Sequence, residues 1–229
     1  MNRLLNKMNI NKMCLIASLP ENSYEIAKVA WEAGVDAIKV HINVFHNASQ
    51  NHFGTLSEMR SVFERIIQDS PVPVGIVCGE SAFQAEEVID ELVAMGFDFI
   101  SLYAHHTPAS VSARKDIDNF LAINSSYSFE EIKYLSHSHF AKILELSIVD
   151  KEDYGKRLSA RELAKYHYIA SFSKIPTVVP TQKVILPSDI PALHKTGVKA
   201  VMVGAVSYGK DPKTIQDTLI AFRKEIDKL

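Results

Sequence analysis

The stretch Ile175–Pro212, IPTVVPTQKVILPSDIPALHKTGVKAVMVGAVSYGKDP, reads as two strand-and-helix units in succession. The apolar run Thr177–Val179 passes into polar Thr181, Gln182 and Lys183. Leu186-Pro187-Ser188-Asp189 then signals a helix start, with proline where an early helical position tolerates it. A second apolar run, Ala200–Val203, passes into small residues, Gly204-Ala205-Val206-Ser207-Tyr208-Gly209. Strands this short and this uniformly apolar are buried on both faces, the mark of parallel strands covered by helices.

Working outward, the same unit recurs about eight times. Strand one is predicted at Cys14–Ser18, and its helix carries Ile26, Val29, Ala30 and Ala33 at helical spacing before Gly34. Strand two covers Ala37–Ile42 and is followed by a polar loop, HNASQNHFG, and a helix with Leu56, Met59, Val62, Phe63, Ile66 and Ile67 in one stripe. Pro71 and Pro73 delimit strand three at Val74–Cys78, and strand four is Phe99–Tyr103. Strand five, Asn119–Asn124, lies between the polar segment PASVSARKDID and a helix opening at Ser128, with Glu130 and Glu131 in its first turn. Strand six is Ala141–Leu146, and a last helix presents Ile215, Leu219, Phe222 and Ile226. Eight such units predict a single (β/α)8 TIM barrel of eight parallel strands over residues 1–229, with 1–12 as an N-terminal extension. An open, doubly wound sheet is the alternative; the lack of a first-turn GxGxxG argues against it and against a nicotinamide or flavin site.

The 25 Lys and Arg balance 27 Asp and Glu without basic blocks or acidic tails, so neither nucleic acid nor an anionic membrane is expected as a partner. The N-terminus lacks the apolar core of a signal peptide, and no apolar run approaches the roughly 20 residues of a membrane span, so the expected location is the cytoplasm. Cys14 and Cys78 fall inside strands and read as packing residues, not a disulfide. The subunit number is left open, a homo-oligomer included.

In this architecture chemistry belongs at the carboxyl ends of the strands. Alternation places Lys39 with His41 on one face, Ser101 with Tyr103 and His105, and Glu145 with Ser147. Lys39 and Glu145 are the sharpest pair: burial lowers a lysine pKa and raises a glutamate pKa, whereas proximity restores both charges. Either state suits proton transfer; a structural ion pair is the plainer reading. His105 is a candidate second proton carrier. His41, Glu80, His105 and Glu145 could instead converge on a divalent metal, although no short ligand motif supports that and no cofactor is otherwise implied. His46 and His52 read as exposed or substrate-covering. Gly204 and its neighbours, with the loop at Thr181, would let backbone N–H groups approach a phosphate; a simple chain turn at Gly204 is the alternative. Segments 45–54, 104–118 and 150–161 read as lids, with Lys156 and Arg157 as anion contacts or plain surface charge.

The stretch Ile175–Pro212 also resembles the last two repeats of ribulose-phosphate-binding barrels, the group that includes the histidine and tryptophan pathway isomerases, indole-glycerol-phosphate synthase and N-acetylmannosamine-6-phosphate 2-epimerase. The resemblance implies Gly204 and Ala205 as backbone phosphate donors. It departs at strand seven, where Pro180-Thr181-Gln182 replaces a glycine, so Thr181 or Gln182 would make that contact. The isomerases' inward aspartates are replaced by Ser18 and Asn124, which opposes an Amadori-type reaction. A Lys and Glu pair is closer to the sugar-phosphate epimerases.

Together these readings predict an enzyme acting on a small phosphorylated metabolite by proton transfer beside a carbonyl, of isomerase or epimerase type. Lys39, Glu145 and His105 would be catalytic, and Thr181, Gln182, Gly204, Ala205, His41 and Tyr103 would bind substrate or phosphate. The alternatives are a Schiff-base aldolase or lyase using Lys39, a metal-dependent epimerase, and a barrel that binds a phosphometabolite without turnover.

Overall fold

The computed structural model describes residues 2–229. Its eight parallel strands close into a barrel: β1 (Cys14–Ser18), β2 (Ala37–His41), β5 (Val74–Val77), β6 (Phe99–Tyr103), β7 (Asp118–Ile123), β8 (Ile143–Leu146), β9 (Thr177–Pro180) and β10 (Ala200–Val203). The intervening β3 (Val44–His46) and β4 (Asn51–Phe53) pair as a separate antiparallel hairpin. Strand five of the sequence reading is present as β7, in register with β6 through Phe99↔Asp118 to Tyr103↔Ala122 and with β8 through Phe120↔Ile143 to Ile123↔Leu146. The predicted (β/α)8 barrel is the observed fold, and no helix among the described residues is long and apolar enough to cross a membrane.

Alternation sorts each strand into two apolar layers. Leu15, Ala17, Ile38, Val40, Leu144 and Val201 face outward, beneath α2 (Tyr24–Glu32), α3 (Leu56–Asp69), α4 (Ala82–Met95), α6 (Phe129–His137), α7 (Ala160–Phe172), α8 (Ile190–Lys195) and α10 (Pro212–Asp227). Cys14, Ile16, Ala37, Phe99, Phe120, Ile143, Val178 and Met202 fill the interior of the lower barrel. Phe99 and Phe120 stack there with ring centroids 4.2 Å apart. Gly75 makes that stack possible, because a Cβ at this position would fall 2.0 Å from the Phe99 ring.

Two parts of the fold were not foreseen. The N-terminal extension contains α1 (Arg3–Ile10), whose Leu4 and Met8 plug the lower mouth of the barrel and are buried with Cys14 and Ile16. Aspartates of the helix-to-strand loops hold it there: Arg3 pairs with Asp98 at 3.2 Å, and Lys7 with Asp36 at 3.6 Å. Those same carboxylates accept backbone N–H bonds from Val74 and Leu15, so they join the plug to the strand starts. The polar loop after β2 is the β3–β4 hairpin, whose Val44 and Phe53 are buried although its connection is polar. Helix starts follow the expected chemistry: Ser128 caps α6 in a capping box with Glu131, and Thr55 and Glu58 do the same for α3. Segment 104–118 contains a 3-10 turn at Ala104–His106 and a short helix, α5 (Ala109–Ser112).

The Gly75 contact carries a prediction. Gly75→Ala forces the Phe99–Phe120 stack apart and lowers stability by roughly 3 kcal/mol, the upper range for overpacking a filled core. The readout is the denaturant midpoint at unchanged slope; wild-type stability would show that the ring has room to move.

Candidate functional site

A cavity of about 490 Å³ opens at the carboxyl ends of the strands. Its floor is the layer above the aromatic stack, where Lys39 of β2 reaches across to Glu145 of β8. The Lys39 Nζ donates to Glu145 Oε2 at 3.0 Å and Oε1 at 3.3 Å. Ser101 Oγ donates to Oε2 at 2.7 Å and Ser147 Oγ to Oε1 at 3.0 Å. All four side chains are buried. Burial by itself pushes the Glu145 carboxyl up, but the Lys39 charge and the donors Ser101, Lys39 and Ser147 outweigh it, and the net shift is down. Glu145 is therefore a carboxylate at neutral pH.

His41 follows Lys39 on the same face, as alternation required, and lines the cavity, but its ring is packed against its neighbours. It is 1% exposed, its Nε2 lies 3.4 Å from Ser18 Oγ, and it stacks against His46 and Phe53 with centroids 4.5 and 4.7 Å away. His46 was expected to be exposed or substrate-covering; it is half-buried, lines the cavity, and bonds Ser49 Oγ through Nδ1 at 2.8 Å. Burial, then the Lys39 charge, lowers its pKa to about 4.

The opposite wall is aromatic. Tyr103 lies parallel to His105 with centroids 5.4 Å apart, and burial raises its phenol pKa. His105 sits on the exposed 3-10 turn, lines the cavity, and contacts Tyr127 Oη through Nδ1 at 2.5 Å. Lys151 and Tyr154, from the loop after β8, complete this side; the sequence reading named neither. That loop has no periodicity to reveal them. Ser101 and Ser147, in contrast, were legible from alternation with Tyr103 and Glu145.

At β9 and β10 several expectations change. The Gly204 N–H, expected to hold phosphate, donates to Thr181 Oγ1 at 2.8 Å. Ala205 opens the short helix α9 (Ala205–Tyr208) and does not line the cavity. The Gln182 side chain also has other work: its Oε1 accepts from Val149 N at 3.1 Å, and its Nε2 donates to the Ser147 carbonyl at 3.1 Å and to Tyr154 Oη. It ties the β8 loop down instead of presenting an amide to an anion. Lys156 and Arg157 are occupied at the surface by Asp153 and Asp189, at 2.7 and 2.9 Å. Thr181 and Gly204 do line the cavity. Among the described residues no three His, Cys, Asp or Glu side chains converge as metal ligands, so His41, Glu80, His105 and Glu145 do not form the cluster considered above.

No family model matches this chain, and no curated protein matches it in sequence. Its architecture is shared by solved structures. Thiamine phosphate pyrophosphorylase from Pyrococcus furiosus superposes with a TM-score of 0.67 at 17% identity, covering 95% of this chain and 97% of its own. A mutant tryptophan synthase alpha-subunit from the same organism gives 0.71 at 14% identity, covering 93% and 98%. A protein from Aquifex aeolicus VF5 gives 0.73 at 13% identity, covering 98% and 99%. At these identities what is shared is the fold, over nearly the whole of this chain.

The site's electrostatics can be tested in two ways. Lys39→Met leaves a buried carboxylate without its counter-charge and costs roughly 3–5 kcal/mol, whereas Lys39→Met combined with Glu145→Leu removes both charges and regains most of that loss. Equal stability of the single and double variants in urea would contradict this. For His46 the folded pKa of about 4 lies below its ordinary 6.5, so the unfolded chain binds the proton more readily. Its contribution to stability is present above pH 6.5 and is lost as pH falls toward 4. His46→Phe keeps a ring against His41 and should give a shallower decline of Tm over that interval; an unchanged slope would refute the assignment.

Proposed function

We propose that this chain is an enzyme acting on a small phosphorylated metabolite, moving a proton next to a carbonyl in the manner of an isomerase or epimerase. The observation that carries the reading is the buried Lys39–Glu145 pair on the floor of a cavity at the catalytic end of the barrel. Two of the structures that share the fold are named as enzymes or enzyme subunits, one of them for thiamine phosphate, which agrees with this reading.

Glu145 is held ionised and is the base; Lys39, donating to both carboxylate oxygens, is the cationic proton donor. A substrate carbonyl oxygen entering beside Lys39 competes with Glu145 for the ammonium protons. As Lys39 turns to that oxygen, Glu145 loses its counter-charge and becomes a stronger base. It then takes the proton from the adjacent carbon, while Lys39 stabilises the enolate oxygen from the buried floor of the cavity. His105, with Nδ1 engaged by Tyr127, keeps Nε2 for a second proton transfer from the aromatic wall. The resting ion pair opposes the Schiff-base alternative, since an ammonium held by a carboxylate is not a nucleophile. The phosphate is placed at the β1, β9 and β10 side, next to Thr181 and Gly204.

A thermal-shift panel of sugar phosphates, phosphoribosyl compounds and inorganic phosphate tests the ligand class; a compound at 100 times its dissociation constant adds about 2.7 kcal/mol. The best ligand, incubated with protein in D2O, should acquire carbon-bound deuterium. The variant Lys39→Met/Glu145→Gln should keep binding and lose exchange. Binding without exchange in the wild type would leave a metabolite-binding barrel and remove the catalytic reading.

A further inference from the structure

Ser18 has no role in the reaction above, yet its hydroxyl is held in a particular way. It ends β1, is 5% exposed, and lines the cavity beside Gly204. Among the described residues its Oγ has one hydrogen-bond partner, His41 Nε2 at 3.4 Å. The other ring nitrogen of His41, Nδ1, is buried with no partner. Burial first, then the neighbouring His46 and Lys39, hold the His41 pKa well below its ordinary value, and a neutral imidazole carries one N–H. A proton on Nδ1 would leave a buried donor unsatisfied, the rarer and more costly kind of orphan. A proton on Nε2 instead donates to Ser18 Oγ.

With its oxygen already accepting from His41, Ser18 has no protein acceptor for its own proton, which is left to the cavity. Thr181 repeats the device. Its Oγ1 accepts the Gly204 N–H at 2.8 Å and has no protein acceptor either. The two residues flank one glycine: a Cβ built on Gly204 would lie 3.6 Å from the Ser18 carbonyl oxygen, 3.7 Å from Ser18 Cβ and 3.7 Å from Thr181 Oγ1. A hydroxyl that accepts a hydrogen bond donates a stronger one, because each bond in a chain polarises the next.

The geometry points to Ser18 and Thr181 as a pair of hydroxyl donors for one anionic oxygen of the ligand, with His41 as a positioning residue whose Nε2–H tautomer turns the Ser18 proton toward it. The occupant is an acceptor-only oxygen, and on the functional reading above it is a phosphoryl oxygen. Gly204 serves this subsite by leaving space between Ser18 and Thr181.

The test combines NMR on the wild type with binding of inorganic phosphate and of the best phosphorylated ligand, measured by calorimetry. Imidazole 15N shifts should show His41 as the Nε2–H tautomer. Ser18→Ala and His41→Leu should each weaken binding by about tenfold, the size expected for losing or misdirecting one hydrogen bond to a charged group. His41→Gln, whose amide reaches the Nε2 position, should remain within about twofold of wild type, a rescue that a purely packing role for the ring would not produce. Gly204→Ala meets only ordinary contacts, so it should fold normally and bind phosphate poorly. An Nδ1–H tautomer, or wild-type affinity in Ser18→Ala, would overturn the subsite while leaving the phosphorylated-ligand reading in place. A wild type that binds no phosphorylated compound would remove both.

Discussion

Two opposite charges sealed inside a barrel set the terms for everything around them. Removing a carboxylate and an ammonium from water costs several kcal/mol each, and their mutual attraction offsets this only when the remaining lone pairs and protons are also satisfied. The lone pairs of Glu145 meet that condition through Lys39 and through Ser101 and Ser147, which come from β6 and from the end of β8. Four side chains must therefore arrive at one level from three separate strands. A barrel with one extra or missing strand would displace them from one another, so the pair depends on β7 closing the sheet between β6 and β8.

The lower barrel supplies the rigidity that the upper barrel needs. Phe99 and Phe120 stack below the ion pair, Gly75 gives their rings room, and Leu4 and Met8 of α1 close the mouth beneath them. This half is filled, apolar and held by aspartates at the strand starts. The half above is hollow, and its polar groups point inward with few ways to relax. Such a division lets a cavity keep partly used donors without collapse, because the stabilising apolar burial is concentrated elsewhere.

The fold was legible because a doubly covered strand leaves a strong trace: apolar runs such as VMV, ILEL and VGIV repeat at intervals that only a helix fits. Lys39, Glu145, Ser101 and Ser147 were legible for a related reason, since period-two alternation fixes which side chains share the interior. What the sequence did not show has physical causes as well. The β3–β4 hairpin hides behind a polar connection, and α1 behind a short sequence in which Leu4 and Met8 are buried and Leu5 packs beside them. Gln182 and Gly204 were assigned to phosphate by their place after a strand. In the folded chain the Gln182 amide is committed to the β8 loop and the Gly204 N–H to Thr181. Sequence reports which polar groups are near a site, but not which of their hydrogen bonds the protein has already made. The net downward shift of the Glu145 carboxyl was hidden similarly, because it rests on Lys39 and Ser101 reaching it from distant strands together with the nearby Ser147.

The anion side and the proton-transfer side are physically continuous. Ser18 and Lys39 are register partners on neighbouring strands, which places their backbones about 4.8 Å apart. The proposed phosphoryl oxygen on Ser18 and Thr181 would be held by neutral donors, with the buried Lys39 on the strand beside Ser18. A bound dianion there attracts the Lys39 ammonium and repels the Glu145 carboxylate, so it weakens the resting pair before any chemistry begins. Both effects raise the basicity of Glu145 when a phosphorylated ligand is present and leave it low when the cavity holds only water. Binding energy from the non-reacting phosphate would then be used to prepare the base, and a substrate lacking the phosphate should lose turnover more than it loses affinity.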